Sequence, residues 1–251
     1  MTDPLTRLLS IMAKLRDPET GCDWDTAQTF ETIVPYTIEE AYEVADAIER
    51  SAMDDLKEEL GDLLFQVVFH ARMAEEVGHF NFNDVAASIS KKMEDRHPHI
   101  FGGENGQMEE RRWETIKEAE RNAKGAQSAM DGVATTLPGL LRAEKLQKRA
   151  ARTGFDWPDT QGPADKLIEE MQELADADAA DRMEEAGDLL FAAVNLVRAY
   201  KIAPEDALRQ ANRKFERRFR AMEQKADGKF SQLSIDEQEA LWQQVKADEK
   251  A

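Results

Sequence analysis

Glu40 and Glu43 sit three residues apart in Ile38-Glu-Glu-Ala-Tyr-Glu43, and Glu59 and Asp62 sit three apart in Glu59-Leu-Gly-Asp62. On a helix that spacing leaves two side chains roughly 60° apart, so each pair shares a face. Apolar residues surround both pairs at helical spacing: Ile38, Ala41, Tyr42, Ala45 and Ile48 in the first stretch, and Leu56, Leu60, Leu63, Leu64, Val67 and Ala71 in the second. The pattern predicts two amphipathic helices joined through Arg50 to Asp54, a connection short enough to force an antiparallel hairpin. Ser51 with Asp54 three residues on predicts the cap that starts the second helix. Such a hairpin brings Glu40, Glu43, Glu59 and Asp62 to one point. Converging carboxylates repel one another and call for a cation, and an all-oxygen donor set suits Mg²⁺ or Mn²⁺.

A charged fraction of 33% also supports a plainer reading, in which these acids are a solvated helix face. Recurrence separates the two. Residues 169 to 191 repeat the constellation as Glu170, Glu173, Glu185 and Asp188, within Glu-Glu-Met-Gln-Glu and Glu-Glu-Ala-Gly-Asp-Leu-Leu-Phe. The repeat keeps even the helix-weakening glycine, at Gly61 and Gly187. Glycine inside a helix costs about 1 kcal/mol relative to alanine, so its double occurrence predicts a close backbone approach at both places.

The elements that must position these acids also come twice. Leu5, Leu8, Leu9, Met12 and Leu15 predict a leading helix ended by Asp17-Pro18 and Gly21. Gly78 ends the second acidic helix, and Asn81 or Asn83 starts another that stops at His97-Pro98. That helix carries Lys92 and Arg96 four apart on one face; Lys214 and Arg218 repeat the spacing behind the second acidic set. Alone each pair is an exposed basic face, but behind a metal site the two cations suit phosphate oxygens. Trp113-Glu-Thr-Ile-Lys117 matches Trp242-Gln-Gln-Val-Lys246, and Thr20-Gly-Cys-Asp-Trp24 matches Thr153-Gly-Phe-Asp-Trp157. Trp24 itself reads as a plug for the bundle. No alternation of period two persists, so the fold class is all-α. Two helical-bundle modules are expected, residues 1–124 and 138–251, with a Gly-containing linker over 125–137. Apolar stripes along Leu63, Leu64, Val67 and Val68, and along Leu189, Leu190, Ala193 and Val194, exceed what two helices can cover. A twin subunit completing four-helix bundles, that is a homodimer, is the expected remedy.

A net charge of −18 excludes nucleic acid or an anionic membrane as a main partner. No apolar run approaches membrane-spanning length, and the start of the chain lacks the form of a signal peptide. The single cysteine, Cys22, fits a reducing, cytoplasmic location and reads as a small apolar residue. All four histidines fall in the first module, so His97 and His99 read as loop residues rather than metal ligands. A ferritin-like di-iron site needs Glu-x-x-His from two helices, and the only match here, Glu76 to His79, runs into a turn.

With Glu-Glu-x-x-Glu, Glu-x-x-Asp, Lys-x-x-x-Arg and Trp in the same order twice, the chain resembles the MazG nucleoside triphosphate pyrophosphohydrolases, in their tandem two-module bacterial form. The resemblance spans nearly the whole chain. It implies Mg²⁺-dependent hydrolysis of nucleoside triphosphates to monophosphate and pyrophosphate by an all-α homodimer. It also implies metal ligation by Glu170, Glu173, Glu185 and Asp188, with Glu40, Glu43, Glu59 and Asp62 as the first-module counterparts. Lys214 and Arg218 match the phosphate-contacting pair, Trp242 a substrate-contacting aromatic, and Glu39 and Glu169 the first Glu, placed behind the ligands or on the attacking water. The family often has Lys four residues before the second Glu, where this chain has Asp55 and Asp181, with Arg182 adjacent to the latter as a candidate phosphate contact. The C-terminal module is the one the resemblance associates with activity. A non-catalytic homodimeric interaction or regulatory protein, its acids merely solvated, is the alternative reading.

Overall fold

The computed structural model describes residues 3–102, 115–116, 119–120, 123 and 125–249; Trp113 and Lys117 lie outside them. Among the described residues the chain forms eleven α-helices and no strand, in two compact units, Met1–Ile116 and Lys117–Ala251. The all-α class and the tandem arrangement are as the sequence predicts.

In the first unit, α1 (Pro4–Leu15), the short α2 (Asp23–Ala27), α3 (Phe30–Glu49), α4 (Met53–Glu76), α5 (Phe82–Arg96) and the single turn α6 (Pro98–Phe101) follow in order. Helices α3 and α4 form the predicted antiparallel hairpin, and α1 and α5 pack on α4. The core joins Met12 of α1 and Ile33 of α3 to Val68, Phe69 and Met73 of α4, all almost fully buried. Each such side chain contributes roughly 1.5–3 kcal/mol by leaving water. Helix α3 begins at Phe30, eight residues ahead of Ile38, because Thr29 and Thr32 close a reciprocal capping box. Asn81 and Asp84 do the same for α5.

Ser51 does not cap α4. It ends α3 in the left-handed conformation at φ 56°, with the Ser51 amide on the Ile48 carbonyl and the Ala52 amide on the Ala47 carbonyl. These are the two closing bonds of a Schellman turn, which satisfies α3's last carbonyls and fixes the hairpin angle. Gly78 ends α4 in the same way at φ 74°, as its sequence position predicts.

The second unit contains α7 (Gly139–Arg152), α8 (Gln161–Asp176), α9 (Arg182–Ala199), α10 (Pro204–Lys225), a 3₁₀ turn at Phe230–Gln232 and α11 (Ile235–Asp248). Helices α8 and α9 are the second acidic hairpin; α7 packs on α9 and α10, and α11 on α10. The segment 125–137, read as a linker, belongs to this unit, where Arg149 donates to the Ala129 carbonyl.

Three further readings change. Among the described residues, and apart from the nearby backbone of its own helix, nothing lies within 4 Å of where a Cβ would stand at Gly61 or Gly187, so neither glycine serves a close approach inside its own unit. Trp24 plugs nothing: it is half exposed, edge-on to Tyr36 at 6.0 Å. The apolar stripes divide, with Val68 and Val194 buried in their own units while Leu64, Val67 and Leu190 remain exposed.

Candidate active site

Each hairpin gathers three of its four acids. Carboxylate oxygens of Glu40, Glu43 and Glu59 lie within 4.8 Å of one another, and so do those of Glu170, Glu173 and Glu185. Helical spacing supplies the first two members from α3 or α8, and the antiparallel crossing supplies the third from α4 or α9. Asp62 and Asp188, one turn along, stand outside these trios at exposed positions.

The acids repel as the sequence argument requires. Desolvation pushes the Glu40 carboxyl above the ordinary carboxylate range, helped by the charges of Asp62 and Glu43. Glu59 is raised by desolvation and then by Glu43 and Asp62. In the second hairpin, desolvation raises Glu173 while Lys166 opposes the shift. Lys166 is the residue that sequence reasoning missed. Its ammonium lies 2.7 Å from Glu169 and from Glu170 and 3.8 Å from Glu173, and the bonds to Glu169 and Glu170 hold its pKa well above the usual lysine value. Its spacing of four before Glu170 was a legible ion-pair signal. In the first unit the same register holds Tyr36, and Glu40 accepts instead from the side chain of Gln66, at 3.4 Å.

The donor set of the second hairpin fits a divalent cation. Glu170 is 5% exposed, and among the described residues its buried Oε2 meets no hydrogen-bond partner, although Oε1 meets Lys166. A buried carboxylate oxygen without a donor is costly unless a cation completes it.

The residues expected to meet phosphate lie elsewhere in the second unit. Lys214 is exposed on α10, and Arg218, one turn on, stacks over Trp242 at 5.4 Å and pairs with Glu249 at 2.7 Å. Arg217 also holds Glu249, and the two guanidinium groups pull that carboxyl down to about 2. Arg182 donates to the Ala177 carbonyl in the α8–α9 turn. Among the described residues, no hydrogen bond or ion pair joins Lys214, Arg218 or Arg182 to the acidic trio. In the first unit Arg96 is the last residue of α5, ahead of His97, whereas Lys214 and Arg218 lie inside α10. His97 turns its Nδ1 toward the Met93 carbonyl, 2.7 Å away.

Beside the second trio lies a cavity of about 510 Å³ with Lys166, Glu170 and Asp188 on one wall. The repeated Thr-Gly-Phe-Asp-Trp motif builds another. Gly154, at φ 90°, ends α7 and turns the chain so that Asp156 makes two bonds to buried Arg198 of α9, at 2.6 and 3.0 Å. Trp157 then rests against Gly162, where any Cβ would collide with the indole ring.

The family model described as the MazG nucleotide pyrophosphohydrolase domain matches residues 28–101 and 161–222, which hold both acidic hairpins. The nucleoside triphosphate pyrophosphohydrolase of Escherichia coli (strain K12) is 52% identical over 98% of each chain. The Thermotoga maritima protein named nucleoside triphosphate pyrophosphohydrolase/pyrophosphatase MazG is 44% identical, over 97% of this chain and 96% of its own. YabN of Bacillus subtilis is 43% identical over 96% of this chain, which spans 51% of that protein.

Proposed function

The chain belongs to the MazG nucleotide pyrophosphohydrolase family, and we propose that it hydrolyses nucleoside triphosphates to monophosphate and pyrophosphate at the second acidic hairpin, in a Mg²⁺-dependent reaction of nucleotide-pool upkeep. The observation that carries this reading is the carboxylate trio Glu170, Glu173 and Glu185 with its unsatisfied Glu170 oxygen, repeated from the first hairpin in a member of that family.

Glu170, Glu173 and Glu185 would hold the metal, with Asp188 one turn away to complete the set. A Mg²⁺ ion held there would supply Lewis-acid neutralisation of the charge that develops as the anhydride breaks. Glu169, exposed beside the trio, takes a proton from the attacking water once Lys166 has left it. Lys166 moves to the triphosphate, supplying the cation that Asp181 does not. Lys214 and Arg218 neutralise the departing pyrophosphate, Arg218 exchanging Glu249 for phosphate, with Trp242 against the substrate. Mn²⁺ offers the same hard-cation chemistry.

The second unit is the working one. Aligning Glu59 and Asp62 with Glu185 and Asp188 sets Phe69 opposite Asn195. Phe69 is a core side chain 1% exposed, whereas Asn195 lines the cavity. Arg96 is also the last residue of α5, ahead of His97, whereas Lys214 and Arg218 lie inside α10, and fixed donors are the ones that best stabilise phosphate. A homodimer completes the picture: Leu60, Leu64 and Val67 of one hairpin and Met183 and Leu190 of the other are exposed apolar residues that a twin subunit would cover.

Pyrophosphate release, screened over ribo- and deoxynucleoside triphosphates with Mg²⁺ and with chelator, tests the reading. Glu185→Ala or Asp188→Ala should abolish release, and Glu59→Ala or Asp62→Ala should leave most of it. No release from any triphosphate would leave a helical interaction protein as the better account. Equal losses from both sets would overturn the choice of unit.

A further inference from the structure

The last turn of α11 carries an acid where helix electrostatics disfavour one. Glu249 caps the C-terminus of that helix, the negative end of its dipole, where a cation is the stabilising neighbour. Two cations of α10 come to it. Arg217 gives its Nε and Nη2 to Glu249 Oε1, at 3.2 and 2.9 Å, and Arg218 gives its Nε and Nη2 to Oε2, at 2.9 and 2.7 Å. Each carboxylate oxygen thus sits in the fork of one guanidinium, a geometry in which arginine also holds phosphate oxygens. The hydrogen bonds from the two forks draw the carboxyl down to about 2, so it is ionised throughout the neutral range.

The mounting lets this acid leave without disturbing its helix. Val245 is buried, and Asp248 pairs with Lys225 of α10 at 2.9 Å, so the end of α11 stays on α10 through contacts that do not involve Glu249. Arg218 likewise has a second hold of its own. Its guanidinium lies over the Trp242 ring at 5.4 Å, and Trp242 in turn meets Phe215 at 5.8 Å. Lys214, one turn before Arg218, is exposed and engages no acid among the described residues. Rotating the Glu249 side chain away would therefore open two fixed guanidinium forks beside an ammonium that is already open.

We propose that Glu249 is a built-in competitor for the phosphates of the substrate: it occupies Arg217 and Arg218 until triphosphate arrives and takes them back as pyrophosphate leaves. The proposal rests on the triphosphate reading above and adds two residues to it, Arg217 as a second guanidinium for phosphate and Glu249 as the group that limits how tightly phosphate is held. A carboxylate that must be displaced first lowers the apparent affinity for every phosphate ligand by the fraction of sites it leaves open. It thereby favours release of a polyanion that two arginines and a lysine would otherwise retain. A purely structural Glu249 would act the other way, because losing it would loosen Arg218 and weaken phosphate binding.

The experiment titrates sodium pyrophosphate into the full-length protein by calorimetry, with Mg²⁺ and with chelator, for wild type, Glu249→Gln and Asp248→Asn. Glu249→Gln should bind pyrophosphate about fivefold more tightly or better, the upper end of what an exposed ion pair contributes. Asp248→Asn removes the same charge one residue away, from a pair with Lys225, and should leave the affinity within about twofold of wild type. Adding Arg217→Gln to Glu249→Gln should reverse most of the gain. In turnover of triphosphates by Glu249→Gln, KM should fall and inhibition by pyrophosphate should sharpen together. Helicity and melting are checked for each variant. Unchanged or weaker pyrophosphate binding by Glu249→Gln, equal tightening by Asp248→Asn, or no pyrophosphate binding by either wild type or Glu249→Gln would each overturn the competitor, and a gain that survives loss of Arg217 would overturn the assignment of that residue. Failure of the triphosphate reading would show separately, as no release from any triphosphate by wild type with the pyrophosphate shift intact.

Discussion

Lys166→Met offers the sharpest test of the metal reading, because the lysine and a divalent cation would compete for the same carboxylates. The ammonium lies 2.7 Å from both Glu169 and Glu170. Exposed ion pairs contribute about 0.2–1 kcal/mol after solvent screening. The side chain of Lys166 is 37% exposed and that of Glu169 57%, so this pair falls in the middle of that range. Glu170 is almost wholly buried, which puts its pair at the upper end or slightly beyond. Together the two contacts oppose metal binding by about 1–2 kcal/mol, and about 1.4 kcal/mol is a factor of ten. Removing the ammonium should therefore tighten Mg²⁺ binding by roughly five- to thirtyfold. Calorimetric titration of Mg²⁺ reads this directly, with Glu43→Gln and Glu59→Gln in both proteins to silence the first hairpin. The same variant should hydrolyse triphosphates more slowly if Lys166 goes on to contact phosphate, so tighter metal binding and weaker activity are expected together. Unchanged or weaker Mg²⁺ affinity would refute the competition and, with it, the assignment of Glu170 to the metal.

Asp156→Ala leaves Arg198 nearly buried without its partner, which should cost about 3 kcal/mol and lower the melting temperature of the second unit by roughly 10 °C. The Arg198 hydrogen bonds hold the Asp156 carboxyl below its ordinary range, so the folded chain keeps it ionised. Its stabilising contribution is then complete above about pH 4 and fades as pH falls through the lowered value, and denaturant melts of wild type and variant should converge at acid pH. Mg²⁺ should raise the thermal midpoint relative to chelator, since a ligand bound only by the native site stabilises it by mass action, and identical midpoints would count against the metal. Light scattering at micromolar concentration should give the mass of a dimer, and a monomer would leave the exposed Leu64, Val67 and Leu190 unexplained.

Local chemistry made much of this molecule legible from sequence. Spacings of three and four along a helix place side chains on one face whatever the fold, so the acid pairs, the basic pairs and the apolar stripes could all be read directly. Gly78 and Asn81 punctuate helices through backbone conformation and a single side-chain bond, which are equally local. Recurrence of the whole pattern then raised three ordinary glutamates and an aspartate in each module to a candidate metal centre. Ser51 shows the limit even of local signals: the serine that resembled a start cap is the left-handed residue that ends the preceding helix, because Ala47 and Ile48 offered carbonyls from behind before Met53 opened the next. What the sequence left undetermined depends on distant elements meeting. Gln147 and Phe191 are 44 residues apart, and Asp156 and Arg198 are 42 apart. No periodicity relates such pairs, so the cavity between α7 and the acidic hairpin exists only once the helices have packed. Whether an acid joins the trio is tertiary too, for Asp62 and Asp188 have the right spacing, yet the crossing of the two helices brings Glu59 and Glu185 to the shared point and leaves those aspartates a turn away.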